Sequence, residues 1–135
     1  GGGGGRGFNV AAVNAATGAV LNSGQNFDTW ITRTTGTAMN AMVDYLESLP
    51  NNTLVLVAVA DDAGLNLDNS CTKFSYPWVG RGLTALQTLL GSTQIQNYCF
   101  RNSFALAGVK GEASARAEQQ GSGIEATAQA VLTVP

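Results

Sequence analysis

Thr53-Leu54-Val55-Leu56-Val57-Ala58-Val59-Ala60 runs without a charge and stops at Asp61-Asp62-Ala63-Gly64. A short, continuous, valine-rich stretch reads as a strand buried on both faces, and hence a central one. The acidic pair that ends it lies where a sheet gives way to loops, and binding loops gather at such ends. Upstream, Thr37 to Leu49 places Ala38, Met39, Met42, Val43, Leu46 and Leu49 at three- and four-residue steps. That spacing predicts an amphipathic helix, capped by Thr34 or Thr35 and stopped by Pro50. Further upstream, Phe8–Asn14 and Ala19–Asn22 read as a hairpin around Ala15–Gly18, followed by a short extended piece at Phe27–Trp30.

Downstream, residues 65–80 read as irregular and carry Phe74, Tyr76 and Trp78. Gly82–Leu90 predicts a second helix with Gly91 as its C-cap. Strands are expected at Gln94–Phe100 and Ser103–Val109. Residues 113–135 read as a C-terminal loop and a closing strand, the strand at Ile124–Val134. The run Gly1–Gly5 has no side chains to pack and reads as a flexible start. Strands split around two helices make a single α+β domain over 1–135.

The 135 residues include no histidine and only 12% charged residues, with a net charge of −2. Without histidine there is no Ser-His-Asp or Cys-His catalysis and no imidazole metal ligand. Seven basic residues, spread along the chain, lack the dense basic stripe that nucleic acid needs. The longest apolar run, Leu54–Ala60, is far short of the ~20 residues that span a bilayer. No nucleic-acid or membrane partner is expected. Cys71 and Cys99 permit one disulfide or two buried thiols, and neither lies in a C-x-x-C motif. The many Asn, Thr, Gln and Ser residues tilt the reading toward an extracellular chain with a bridge. Asn51-Asn52-Thr53 is a glycosylation sequon.

Asp61 and Asp62 have three physically possible uses. A calcium site needs six to eight oxygens, and no EF-hand spacing is present. A glycosidase pair needs carboxylates a defined ~5 to 9 Å apart across a sugar, whereas neighbours in an extended chain point apart. A carboxylate can also accept hydrogen bonds from ligand hydroxyls. The alternative to all three is a simple loop cap. Arg101 offers a planar donor fork for a hydroxyl or carboxylate. Its plainer reading is a surface ion pair. Trp30, Tyr76, Trp78 and Tyr98 are candidates to stack on a sugar face, although most aromatics are simply core.

Several stretches, in order, resemble one family. Gly5-Arg6-Gly7-Phe8-Asn9-Val10, Val13-Asn14 and Thr17-Gly18 are similar to the opening hairpin of the interleukin-like epithelial–mesenchymal transition inducer (ILEI) domain. Phe27-Asp28-Thr29-Trp30 resembles its F-D-x-[WY] step. Leu54–Asp62 resembles its central strand with an acidic end. Leu90-Gly91-Ser92 and Phe100–Gly111 resemble its helix end and its aromatic-Arg strand leading to a G-x-K-G turn. The match covers roughly residues 5–112. It implies a compact sandwich of curved antiparallel sheets flanked by two main helices. Some members of the family are secreted cytokine-like factors. Another is the lectin-like stem domain of a protein O-mannose N-acetylglucosaminyltransferase, where an acidic residue and an Arg hold sugar hydroxyls. Carried over, those roles fall on Asp61 and Arg101, with Asp62 and Asn102 adjacent. Apart from the resemblance, an aromatic from Tyr76, Trp78 or Tyr98 is expected to stack on an apolar sugar face, with Trp78 taken as the site candidate.

The chain departs from the family at Gly64–Leu83, which is about ten residues longer and holds Cys71 and the three aromatics. Ala63 is an extra residue before Gly64, and residues 113–135 have no family match. We therefore expect a Cys71–Cys99 bridge that pins the insertion beside Arg101, where its aromatics form one wall of the pocket. The functional expectation is a secreted, metal-independent lectin without a cofactor, not an enzyme, recognising a terminal galactose- or N-acetylglucosamine-type sugar. With one candidate site per chain, agglutination implies a homo-oligomer. The alternative is a secreted cytokine-like factor of the same fold. A glycosidase using Asp61 or Asp62 is a third reading that no feature of the sequence requires.

Overall fold

The computed structural model describes residues 5–132, so the glycine run except Gly5, and residues 133–135, lie outside the described residues. The elements run β1 (Gly7–Asn14), β2 (Val20–Phe27), α1 (Thr37–Ser48), β3 (Thr53–Ala60), α2 (Pro77–Leu90), a 3-10 turn (Ile95–Asn97), β4 (Ser103–Val109) and β5 (Ala117–Gly121). The strands form one sheet in the order β2-β1-β3-β4-β5, with every neighbouring pair antiparallel. The α+β class holds, with antiparallel strands in one layer and the two helices in the other.

The valine-rich run Thr53–Ala60 is the middle strand. Period-2 alternation sends Val55, Val57 and Val59 to the helix side, in register with Val10 and Phe8 of β1 and with Leu106 and Phe104 of β4. Met39, Met42 and Leu46 of α1 and Val79, Leu83, Leu86 and Leu90 of α2 cover them in one core. The other face of β3 is only partly covered. Leu54 is buried with Ala107 and Val109 beneath Ala128, Ala130 and Leu132, while Leu56 is exposed. The strand is central but not buried on both faces throughout.

Four local expectations change. The N-cap of α1 is Gly36, at φ 76°, not a threonine. The reason is space, since a Cβ on Gly36 would stand 2.4 Å from Cδ2 of Trp78. Thr32 Oγ1 accepts instead from Ala38 N at 3.2 Å. Helix α2 starts at Pro77 rather than Gly82, because proline at the first turn needs no amide partner and its φ is already helical. Residues 94–100 form a 3-10 turn and an extended passage instead of a strand, since the Ser92 hydroxyl accepts from Ile95 N at 3.2 Å and starts a turn. The closing strand is Ala117–Gly121, within the segment read as polar loop. Residues 122–132, expected to include most of that strand, carry no regular element. An edge strand has one solvated side, so its polar composition is ordinary.

Gly108 sits where β4 meets the end of α2. A Cβ there would lie 2.5 Å from the backbone oxygen of Leu90, which cannot swing aside as a side chain can. Gly108→Val is therefore expected to cost about 2–3 kcal/mol as overpacking. Urea unfolding checks this, and an unchanged midpoint would contradict the packing described.

Candidate functional site

The antiparallel order gathers the starts of β1 and β4 and the ends of β2, β3 and β5 at one end of the sheet. Gly7 pairs with Ala60, and Val59 with Phe104, so Arg6, Asp61 and Arg101–Asn102 follow on the same rim. At this rim Asp61 Oδ1 lies 3.5 Å from Arg101 Nε. The two side chains are 50% and 68% exposed. An ion pair that open is worth under ~1 kcal/mol, so a ligand can replace it at small cost.

Asp62 lies behind the pair and is 1% exposed. Its Oδ1 accepts from the Arg101 amide at 2.6 Å and from the Tyr98 hydroxyl at 3.1 Å. Its Oδ2 accepts from Gly64 N at 2.9 Å. The Tyr98 hydroxyl in turn accepts from Ala63 N at 3.1 Å. One buried carboxylate thus ties the end of β3 to the turn that leads into β4. The tie holds unusual backbone, since Asp61 and Arg101 are both left-handed at φ 61°. Aspartate tolerates that region but arginine seldom visits it, and such strain persists only where surrounding contacts fix it. Burial, reinforced by the Asp62 charge, pushes the Tyr98 phenol well above the usual tyrosine range.

Behind this tie the Cys71–Cys99 bridge is formed, across a separation of 28 residues. It is reinforced by Phe100 N donating to Ser70 O at 3.0 Å. Lys73 Nζ donates to Gln96 O at 3.0 Å and Tyr98 O at 2.6 Å, and burial holds its pKa below the usual lysine value. The insertion is therefore pinned beside the segment leading to Arg101, as expected. Its aromatics do not form a free wall. Phe74, Tyr76 and Trp78 are half-buried against the main core, with ring centroids 5.5 and 4.8 Å apart along the series.

Of the five expected site residues, the fold brings Asp61, Asp62 and Arg101 together. Asn102 adjoins them but is buried, and its Nδ2 donates to Gln120 Oε1 at 3.0 Å on β5. Trp78 stands in α2, where its Nε1 donates to Arg33 O at 2.8 Å and its ring stacks on Tyr76. No hydrogen bond, ion pair or ring contact joins it to Asp61 or Arg101. Tyr98, weighed as a sugar platform, is fully buried and serves as the pillar of the rim. A cleft of about 700 Å³ lies elsewhere, on the outer sheet face, between β2 and the C-terminal segment, over Leu56, Ala58 and Ala105. Neither Asp61 nor Arg101 lines it.

Removing the pillar hydroxyl leaves Ala63 N–H without its acceptor and Asp62 without one donor. Tyr98→Phe should destabilise by about 1–3 kcal/mol. The folded pKa of Tyr98 is raised, so above pH ~10 the unfolded chain ionises while the folded one does not, and stability falls as pH rises. Denaturant midpoints between pH 8 and 11 should show this fall, and Tyr98→Phe should lessen it. An equal fall in both proteins would contradict the assignment. Reducing the bridge should cost about 3–4 kcal/mol in the chain-entropy model. An unchanged denaturation midpoint in dithiothreitol would contradict that.

Comparison with known proteins gives one consistent result. Residues 6–112 match the family described as Interleukin-like EMT inducer. Human protein FAM3D is 35% identical over 106 residues, covering 78% of this chain and 39% of FAM3D. Human protein FAM3C is 32% identical over 107 residues, covering 79% of this chain and 39% of FAM3C. Mouse protein FAM3A is 30% identical over 107 residues, with the same coverage. The chain thus spans about two-fifths of the length of these relatives. The match begins at Arg6 and takes in the central strand, the Asp62–Tyr98 tie and Arg101, and the chain belongs to the interleukin-like EMT inducer family.

Proposed function

We propose that the chain is a metal-independent carbohydrate-binding module, and that Asp61 and Arg101 hold the hydroxyls of a terminal galactose- or N-acetylglucosamine-type sugar. The observation that carries this reading is the exposed Asp61–Arg101 pair, 3.5 Å apart, on two left-handed residues fixed from behind by buried Asp62. A planar carboxylate beside a planar guanidinium can accept from one hydroxyl and donate to its neighbour. Directional bonds of that kind select hydroxyl geometry in a shallow, wet site. Both oxygens of Asp62 are occupied by N–H and O–H donors, which supports a site that works without a cation. The same occupancy, with burial, leaves Asp62 unsuited to the paired-carboxylate work of a glycosidase. The bridge, and a sequon whose Asn51 is exposed in a turn, support an extracellular setting. Avidity would come from self-association or tandem copies.

The family's description as interleukin-like favours a second reading, a secreted cytokine-like factor that meets its receptor over a protein-sized surface. The two readings separate at Asp61.

A glycan array run with and without chelator tests the proposal. Binding that survives chelator and weakens about 10- to 100-fold in Asp61→Ala and Arg101→Ala is expected, the size of a charged hydrogen bond lost. Arg101→Gly should lose binding equally while keeping folding stability within about 1 kcal/mol of wild type, because glycine relieves the left-handed backbone. Absence of binding to every glycan would contradict the proposal.

A further inference from the structure

The same rim carries cations that the proposed sugar contacts do not use. Arg6 Cζ stands 4.5 Å from the Trp30 ring centroid, and Arg33 Cζ stands 3.9 Å from it. Their guanidinium carbons are therefore no further apart than the sum of those distances. Two like charges at one indole repel, and each carboxylate brought near them lowers that cost. The chain supplies one. Arg6 Nε and Nη2 bind Asp28 at 3.3 and 3.2 Å. Burial alone would raise the Asp28 carboxyl, but hydrogen bonds from Arg6 and Ile31 N, with the Arg6 charge, hold it below its usual range.

Arg33 has no acidic partner among the described residues. Its Nη1 donates to Trp30 O at 2.8 Å, which fixes the guanidinium over the ring, while its Nε and Nη2 have no protein acceptor there. Trp30 and Arg33 are half-buried, so the donors are preorganised and still reachable. The cluster adjoins the Asp61–Arg101 pair through two connections. Arg6 precedes Gly7, the register partner of Ala60, and so lies one step beyond the paired strands at the same end as Asp61. Gly64, whose amide binds Asp62, packs against the backbone of Thr29 and Trp30 so closely that a Cβ there would lie 2.8 Å from Trp30 Cα.

The geometry points to an oxyanion subsite at Arg33, Trp30 and Arg6, filled by the carboxylate or sulfate of an acidic glycan whose neutral sugar occupies Asp61 and Arg101. The inference rests on the carbohydrate reading for its ligand class. The guanidinium edge of Arg33 is the matching fork for a planar carboxylate or a sulfate face. The missing second anion of the cluster would come with the ligand.

Binding of lactose, sialyllactose and lactose 3′-sulfate, measured by calorimetry at low and at 0.5 M salt, tests the subsite. Either acidic ligand is expected to bind at least about tenfold more tightly than lactose at low salt, with the preference shrinking at high salt. A preference for sialyllactose alone or for the sulfate alone identifies which oxyanion is taken. Arg33→Ala and Arg33→Gln, each with unchanged circular dichroism, should abolish the preference and leave lactose binding as it was. Equal binding of neutral and acidic ligands, or a preference that survives both variants, would overturn the inference. If none of these three binds, the glycan array alone decides the carbohydrate reading, and inorganic sulfate alone decides the subsite. A tryptophan fluorescence response to millimolar sulfate that disappears in both Arg33 variants would support it. No response, or one that persists in the variants, would overturn it.

Discussion

The rim depends on one buried carboxylate. Asp62 has almost no contact with water, and a charge in that position is tolerated only when its lone pairs are taken by donors. They are taken by Gly64 N, Arg101 N and the Tyr98 hydroxyl. These three donors come from two chain segments that are far apart in sequence. Satisfying one side chain therefore fixes where β3 ends, where β4 begins and how the passage before β4 is seated. The buried tyrosine, the bridge and Lys73 add their constraints to the same passage, so residues 98–101 are held from several sides. Two outward side chains, Asp61 and Arg101, then meet at the surface on left-handed backbone that arginine would not choose alone.

This arrangement explains how a weakly charged chain without histidine can present a specific polar site. Rigidity comes from buried neutral and charged hydrogen bonds behind the rim, and the outer residues remain exposed. A ligand bound there as proposed would meet donors and acceptors that are already placed, which reduces the ordering cost of binding. The segment between β3 and α2 contributes in the same way. Its cysteine and lysine brace the rim, while Phe74, Tyr76 and Trp78 extend the core beside α2.

Much of the fold was legible in the sequence because burial and period are strong signals. The Val-rich run marked the middle strand, and the three- and four-residue spacing marked α1. Gly91 marked the end of α2, where the structure has a left-handed C-cap at φ 74°. Elements that depend on a distant neighbour were not legible. Gly36 caps α1 because Trp78 lies over it, and no local rule reports that contact. Ala117–Gly121 pairs with β4 although its residues are polar, because an edge strand needs little apolar surface. At the site, residue type and family resemblance singled out Asp61 and Arg101. The resemblance did not reveal that Tyr98 is a buried pillar or that Trp78 is committed to Arg33 and Tyr76. Pro77 was the one local sign against Trp78, since a proline there opens a helix and turns the next side chain with it.

Native-state hydrogen exchange at the Gly64 and Arg101 amides tests the central role of Asp62 most directly. Both amides lie in loops, yet both donate to a buried carboxylate, so they should exchange as slowly as the amides of β3, and Asp62→Asn should speed them selectively. Exchange at ordinary loop rates in the unaltered protein would contradict the account.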